Sequence, residues 1–277
     1  MFDVTWVRRE LERLGIPALK RFGQHFLVDN QARDELIAIA NLTPSDTVLE
    51  VGPGLGFLTS VLAQKAGRVI AVEKDRTLAG YLKNRFAKYH NLEVVQADVL
   101  STSIPDNAKI VSSPPYNISS KLILQIMASR FKFASLLLQD EFVRRLTAPA
   151  GSREYGRLTV MLQSRAIAKL IKRVSRSAFY PSPKVDSALV TITPVKESHI
   201  RDAKLFEDLV RVLFTQRRRK LTTVLSRYLE RRYPGQSDLI LIRVMAPEKR
   251  VYEMTPNELV AMSNQIAEAL ASKELEA

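Results

Sequence analysis

Three segments in the first half of the sequence carry residues that could together hold a nucleoside-bearing cofactor. The run from Val48 to Gly56 starts as a hydrophobic stretch and continues with glycines at alternate positions, where a backbone can approach a ligand and turn sharply. Glu73 follows Gly52 by 21 residues, and an acid in that place accepts hydrogen bonds from both ribose hydroxyls of an adenosine moiety. Asp98 can accept a hydrogen bond from the adenine amino group. We therefore predict that these residues, together with Gly54, bind the cofactor.

Each of these features has a simpler interpretation when it is taken alone. Glycine occurs in many strand-to-helix turns, Glu73 could be a solvated carboxylate, and Asp98 could cap a turn or a helix. The glycine spacing also differs from the G-x-G-x-x-G of dinucleotide-binding folds, and the sequence has no G-x-x-x-x-G-K-[ST] phosphate loop. The order of the three segments, each at the end of a predicted strand, favours a site for a nucleoside cofactor.

A proline-rich loop with a serine and a tyrosine could act on an exocyclic amino group. The segment 112–117 reads SSPPYN, and its place after the fourth predicted strand matches the [DNS]-P-P-[YFW] signature of amino-group methyltransferases. An adenine amino nitrogen is a poor nucleophile because its lone pair is delocalised into the ring. The Ser113 oxygen and the Pro114 carbonyl can accept its N–H bonds and aim the lone pair at a methyl sulfonium. Tyr116 can stack on a flipped base, so these three residues are the predicted catalytic residues.

The elements that must position these residues alternate between short β-branched runs and helix-like segments, which is typical of a parallel α/β sheet. The predicted strands are 47–51, 68–72, 92–96, 109–112, 134–138 and 187–193, and the predicted helices are 57–65, 77–88 and 118–130. From about residue 196 onward the pattern is helical, with helices over 203–215, 217–231 and 256–271. We therefore predict a Rossmann-like α/β catalytic domain over residues 1–195 and a small helical domain over residues 196–277.

The basic charge of the chain is concentrated in two segments. Of a formal net charge of +13, residues 142–184 contribute ten cations against one acid, and residues 214–232 contribute seven against one. Such concentration is typical of proteins that bind a polyanion, although it could also be a solvated surface that keeps the protein soluble. The cations predicted to contact RNA are Arg144, Arg145, Arg153, Arg157, Lys184, Arg217, Arg218, Arg219 and Lys220.

The sequence excludes several classes of function. It has no cysteine, which removes disulfides, thiolate metal sites and cysteine nucleophiles. The first residues mix acids with bases and do not form a signal peptide, and no apolar run approaches the roughly 18 residues of a membrane span. We expect a cytoplasmic monomer that uses no metal and does not associate with a membrane.

Taken together, these motifs resemble those of the ribosomal RNA adenine N6,N6-dimethyltransferase family. The likeness runs from about Lys20 to Leu225, and its further motifs are Phe22–Leu27, Tyr155–Val160, Phe179–Ser187 and Phe214–Lys220. It implies the sheet of a class I S-adenosylmethionine-dependent methyltransferase. It also implies an enzyme that dimethylates two adjacent adenosines near the 3′ end of small-subunit rRNA in an immature ribosomal subunit. The cofactor would be S-adenosyl-L-methionine and the product S-adenosyl-L-homocysteine.

The resemblance also assigns roles to single residues. The implied cofactor contacts are His25, Leu27, Gly52, Glu73, Asp98 and Ser113. Ser113 is shared with the target base. The family usually has asparagine at this position, and the shorter serine predicts a weaker hydrogen bond to the amine and slower catalysis. His25 is often asparagine in bacterial members, so histidine leans toward the archaeal and eukaryotic branch.

Two alternatives stay open from the sequence. The first is a related methyltransferase that modifies large-subunit rRNA and confers macrolide resistance, with the same fold and chemistry but another RNA. The second is a factor with weak or lost catalysis that binds RNA during ribosome assembly, an interpretation that depends on Ser113. The complete set of Gly52, Glu73, Asp98 and Tyr116 argues against the second, because a scaffold does not need a complete cofactor site.

Overall fold

The computed structural model describes residues 3–16, 25–195 and 199–274, and the chain divides into two units. The first unit consists of Met1–Val143 and Ile167–Pro194, and the second of Arg144–Ala166 and Val195–Ala277. The second unit thus takes in the segment 144–166, which precedes the helices of the C-terminal part.

The first unit is built on a seven-stranded sheet with a small two-stranded sheet beside it. The strands of the described residues are β1 (Phe26–Leu27), β2 (Thr47–Val51), β3 (Arg68–Glu73), β4 (Leu92–Gln96), β5 (Lys109–Ser112), β6 (Phe133–Gln139), β7 (Ala166–Val174), β8 (Phe179–Tyr180) and β9 (Ser187–Pro194). The large sheet has the order β4-β3-β2-β5-β6-β9-β7, and β1 pairs with β8. The chain therefore reverses its strand order between β2 and β5, which is where open α/β sheets form their ligand crevice.

The sequence predicted a parallel sheet, but the large sheet is mixed. Strands β4, β3, β2, β5 and β6 are parallel neighbours, but β9 is antiparallel to β6, with Ser187 opposite Gln139. Strand β7, at the edge of the sheet, was not predicted from the sequence. Its residues are mostly exposed and include Lys169, Lys172 and Arg173. Because side chains on both of its faces are largely exposed, this strand lacks the alternating pattern that identifies a half-buried strand.

Three of the described helices of the first unit lie close to predicted positions, and several begin at an aspartate cap. They are α1 (Val4–Arg13), α2 (Asn30–Ala38), α3 (Thr59–Lys65), α4 (Arg76–Arg85), α5 (Ser119–Met127) and α6 (Asp140–Leu146), the last of which extends into the second unit. The Asp75 carboxylate accepts hydrogen bonds from the N–H groups of Thr77 and Leu78 and so starts α4 directly after β3. The class I methyltransferase-like α/β fold predicted from the sequence is confirmed.

The second unit is helical in its described residues. Its helices are α7 (Arg157–Gln163), α8 (Ala203–Leu213), α9 (Leu221–Arg232), α10 (Ser237–Arg243) and α11 (Pro256–Glu274). They bury Tyr155 and Phe206 completely, and the Tyr155 hydroxyl donates to the Met254 carbonyl at 2.8 Å. The helix predicted from Arg217 begins only at Leu221. Residues 217–220 instead run antiparallel to 249–252, with backbone hydrogen bonds from Leu221 to Lys249 and from Val251 to Arg219.

Candidate active site

The turn between β2 and α3 requires glycine at alternate positions. Gly52, Gly54 and Gly56 have φ angles of +66°, +59° and +83°, a region that side chains disfavour. A Cβ atom on Gly52 would lie 3.0 Å from Pro115 Cδ, and one on Gly54 would lie 3.0 Å from the Phe26 ring. The glycines therefore keep open a narrow cradle between the catalytic loop and β1.

Glu73 ends β3 with its carboxylate turned toward the glycine turn. The Gly54 N–H donates to Oε2 at 3.1 Å, and the Asp75 N–H donates to Oε1 at 2.9 Å. The side chain is buried, and this burial raises the pKa of the carboxyl above its usual value although the backbone donors act in the opposite direction. The carboxylate is thus fixed at the crevice, with lone pairs available for two hydroxyl donors.

Asp98 follows β4 and has two roles in the structure itself. Its Oδ1 accepts from the Leu100 N–H at 3.0 Å, and its Oδ2 accepts from Lys74 Nζ at 2.9 Å. The hydrogen bond from Lys74 holds the pKa of this carboxyl below its usual value. The cap role that the sequence left open is therefore present, and the same carboxylate still faces the crevice.

Glu50 is a buried acid that lines the crevice and was not predicted as a site residue from the sequence. It is 2% exposed, and its Oε2 accepts from the Thr59 hydroxyl at 2.7 Å. Burial raises the pKa of Glu50 to about 8, and the negative charge of Glu73 acts in the same direction. The acid within an otherwise apolar strand was the signal that could have revealed it.

The catalytic loop leaves β5 in a rigid position beside the glycine turn. Ser112 is fully buried, and its hydroxyl accepts from the Val51 N–H at 3.2 Å and donates to the Val51 carbonyl at 2.6 Å. Pro114 is buried, whereas Ser113 is half-buried and lines the crevice. Ser112, for which the sequence predicted no role, therefore anchors the catalytic loop to β2.

Tyr116 is held in place by residues from distant parts of the sequence. Its hydroxyl is 2.5 Å from Ser187 Oγ, and its ring lies 5.6 Å from the His25 ring and 6.5 Å from the Phe179 ring, measured between centroids. His25 in turn has Nδ1 at 2.7 Å from the Pro181 carbonyl. Because a carbonyl oxygen only accepts, Nδ1 carries a proton and donates it.

All predicted cofactor-binding and catalytic residues line one cavity of the first unit. These residues are His25, Leu27, Gly52, Gly54, Glu73, Asp98, Ser113, Pro114 and Tyr116. The cavity fits a nucleoside cofactor such as S-adenosylmethionine in three respects. Its glycines leave space that a Cβ atom would fill, its two neighbouring strand ends each carry a carboxylate, and its walls are apolar. The motif residues 22–24 lie outside the described residues.

The predicted RNA-binding cations differ in their surroundings. All are exposed except Arg217. The Arg217 guanidinium donates to the backbone carbonyls of Arg153 at 3.1 Å and Ser152 at 3.0 Å, and it lies 5.5 Å from the centre of the Tyr252 ring. Arg217 therefore connects the segment around residues 152–153 to Tyr252 within the second unit. The side chains of Arg218, Arg219 and Lys220 are exposed to solvent.

Comparisons with known proteins give a consistent family. A family model described as ribosomal RNA adenine dimethylase matches residues 17–268, so that α1 precedes the matched residues. Two relatives are named probable ribosomal RNA small subunit methyltransferase A. The one from Pyrococcus abyssi is 38% identical over 263 residues, covering 93% of this chain and 95% of the relative. The one from Methanosarcina acetivorans is 38% identical over 251 residues, covering 88% and 92%.

Two solved structures share most of the fold. A dimethyladenosine transferase from Plasmodium falciparum has a TM-score of 0.81 at 29% identity, covering 88% of this chain and 98% of its own. The 23S rRNA methyltransferase ErmE has a TM-score of 0.68 at 29% identity, covering 87% of this chain and 99% of its own.

Among the described residues, no helix has the length and apolarity to cross a membrane.

Proposed function

Because this chain belongs to the ribosomal RNA adenine dimethylase family, we propose that it is the methyltransferase that dimethylates N6 of adenosines in small-subunit rRNA with S-adenosyl-L-methionine. Its substrates are two adjacent adenosines near the 3′ end of that rRNA, presented in an immature ribosomal subunit. The first unit supplies the catalytic domain. The helical second unit, which adds the segment 144–166 to the predicted domain of residues 196–277, assists in binding the rRNA.

The observation that carries the proposal is the meeting of two loops at the reversal of strand order. The glycine turn after β2 and the Ser113–Tyr116 loop after β5 face the same cavity, and Ser112 joins their strands to each other. One loop suits a nucleoside cofactor and the other suits an amino group attached to an aromatic ring. A transfer between the two needs both ligands in this one crevice.

The residues of the site orient two reactants and need no covalent intermediate. Glu73 accepts from the ribose hydroxyls, and Asp98 accepts from the adenine amino group of the cofactor. The cofactor supplies a methyl group on a cationic sulfur. The Ser113 hydroxyl and the Pro114 carbonyl accept from the target N6 and turn its lone pair toward that methyl. With the cofactor bound, Ser113 and Pro114 would hold N6 for attack on that methyl group, S-adenosylhomocysteine would be left in the cofactor site, and the N6 proton would be lost to water.

Tyr116 provides the surface on which the target base stacks. Its ring is held from two sides by His25 and Phe179, and its hydroxyl is bound to Ser187, so that little freedom is lost when a base packs against it. Stacking of this kind contributes about 1–3 kcal/mol per base. The exposed cations Arg218, Arg219 and Lys220 bind phosphates of the rRNA backbone.

A second candidate is methylation of large-subunit rRNA, which the similarity to ErmE brings into consideration. The small-subunit assignment is preferred because the family relatives from Pyrococcus abyssi and Methanosarcina acetivorans both carry that name over most of their length. The structure with the higher TM-score is likewise a dimethyladenosine transferase.

One experiment tests the proposal against this alternative. The protein is incubated with methyl-labelled S-adenosylmethionine and, in separate arms, immature small subunits and immature large subunits, and the modified nucleotides are mapped. We expect dimethyladenosine at two adjacent positions in the small subunit, and none with Glu73→Ala. Label in the large subunit alone would replace the proposal by the second candidate. Absence of label in both arms, with the cofactor bound, would leave a binding factor.

A further inference from the structure

Helix α1 lies before the residues that the family model matches, yet it packs against the cofactor crevice. Asp3 caps the helix by accepting from the Trp6 N–H at 2.7 Å. Val7 and Leu11 are 2% and 1% exposed and belong to one apolar cluster with Leu55 of the glycine turn and with residues of α4. Burial of two aliphatic side chains docks the helix firmly on this part of the first unit.

Arginine–aromatic contacts attach α1 to β8 and to α4. The Arg8 guanidinium lies 5.0 Å from the centre of the Tyr180 ring on β8, the strand that pairs with Phe26 of β1. The Arg85 guanidinium, at the end of α4, lies 5.0 Å from the centre of the Trp6 ring. Arg85 also donates to the Tyr81 hydroxyl at 2.7 Å. The orientation of the indole is therefore set from the α4 side by a cation that is itself held in place.

Trp6 and Val7 line the same cavity as Gly54, Glu73 and Asp98. We propose that Trp6 is a further cofactor-binding residue: its indole forms an apolar wall of the S-adenosylmethionine site that α1 adds to the matched family region. The large, flat indole removes more apolar surface from water than any other side chain at this wall could. This inference rests on the proposed function for the identity of the cofactor.

The chain offers a direct readout because Trp6 is its single tryptophan. All indole fluorescence therefore comes from the wall in question. Titration with S-adenosylhomocysteine, which cannot transfer a methyl group, should change the emission until it saturates. The dissociation constant from this titration should equal the one measured by calorimetry. No enzymatic turnover is needed for this measurement.

Three variants complete the test. Trp6→Ala should weaken S-adenosylhomocysteine binding about 10-fold, and Trp6→Phe about 3-fold, because part of the aromatic wall is kept. Thr5→Ala, a neighbouring exposed position on the same helix, is the matched control and should bind like the wild type. Thermal unfolding checks that α1 stays folded in each variant. If Trp6→Ala lowers the unfolding temperature strongly, two measurements still test the inference. They are the S-adenosylhomocysteine affinity of Trp6→Phe relative to Thr5→Ala, and the change in the emission of the wild type on binding.

The outcomes separate this inference from the proposed function. Tight calorimetric binding by the wild type, together with unchanged emission and wild-type affinity in both Trp6 variants, would overturn the inference and leave the cofactor assignment intact. Absence of S-adenosylhomocysteine binding in the wild type would overturn the cofactor assignment and the inference with it. A saturable change in emission, wild-type affinity in Thr5→Ala, and a loss of affinity in Trp6→Phe that is larger in Trp6→Ala would support both.

Discussion

The Ser112 hydroxyl is hydrogen bonded to both backbone polar groups of Val51, at 3.2 Å as an acceptor and at 2.6 Å as a donor. The backbone register of β2 with β5 places Val48 opposite Lys109 and Leu49 opposite Ile110. The side chain thus joins the two strands at their carboxyl ends, one residue before Gly52 on one strand and Ser113 on the other. This buried hydroxyl therefore extends the backbone pairing of the two strands to the point where the cofactor turn and the catalytic loop begin.

Ser112→Ala should therefore slow methyl transfer by changing the relative position of the two loops. It leaves the buried N–H and C=O of Val51 without this partner, which costs about 1–3 kcal/mol in the free energy of unfolding. Ser135→Ala is the matched control. This serine is also fully buried, and its hydroxyl donates to the Leu36 carbonyl at a distance of 2.8 Å, but it does not line the crevice. Single-turnover rates and denaturant unfolding of both variants give the answer. Equal rates in the two variants would remove the positioning role from Ser112.

Ser113→Ala should lower the single-turnover methylation rate and leave RNA affinity nearly unchanged. The reason is that the hydroxyl acts on the target amine only as the transition state forms. Removing one preorganised hydrogen-bonding group costs about 10²–10³ in rate, and the Pro114 carbonyl shares the interaction, so we expect the lower end. Ser113→Asn should keep or raise the rate, and Tyr116→Ala should be slower than either. A wild-type rate for Ser113→Ala together with an inactive Ser113→Asn would show that this loop is built differently.

Glu73→Ala and Asp98→Ala should each abolish detectable binding of S-adenosylhomocysteine while the protein stays folded. Glu73→Gln should also bind much more weakly, because an amide has one acceptor oxygen in place of two. Glu93→Ala is the control: this exposed acid of β4 pairs with Arg68 at 2.7 Å and does not line the cavity. Calorimetry and thermal unfolding measure affinity and folding separately. Near-wild-type affinity in both alanine variants would remove the assigned site.

The basic segment 217–220 should separate into one structural residue and three RNA contacts. Replacing Arg218 and Arg219 with glutamine should flatten the slope of log affinity against log salt by about 1.4–1.8, since each phosphate contact contributes about 0.7–0.9. Arg217→Gln should instead lower the unfolding temperature, because it removes two hydrogen bonds to backbone carbonyls. Binding titrations at several salt concentrations are compared with thermal melts. An unchanged slope in the double variant would make the cluster a solvated surface.

Glu50→Gln should stabilise the unliganded protein at pH 8 and have little effect near pH 4. Burial raises the pKa of Glu50 to about 8 in the folded protein, whereas the unfolded chain has the ordinary value near 4.3. The folded state thus binds more protons between these values, and its stability falls as the pH rises from about 4 to 8. The variant has no such loss, and we expect a gain of about 1–3 kcal/mol at pH 8. Denaturant unfolding at both pH values is the measurement, and an equal effect of the substitution at both would contradict the assigned protonation.

The sequence alone was sufficient for the features that depend on neighbouring residues. The strands 47–51, 92–96 and 109–112 have their predicted bounds, and the glycine turn and the Ser113–Tyr116 loop follow the strands as predicted. Apolar runs, alternate glycines and a proline pair are local signals, because burial and backbone angles act on a few consecutive residues at a time. The chemistry of the site could be inferred from the order of these signals along the chain.

Tertiary structure alone decided which distant residues hold those signals in place. Tyr116 is bound by Ser187, 71 residues later, and Ser112 is bound by Val51, 61 residues earlier. Whether β9 runs antiparallel to β6, whether Arg217 faces inward beside Arg218, and whether Trp6 reaches the crevice all depend on how elements pack. Contacts of this kind produce no periodic pattern in the sequence. Each partner, taken alone, could equally be a solvated surface residue or a buried residue.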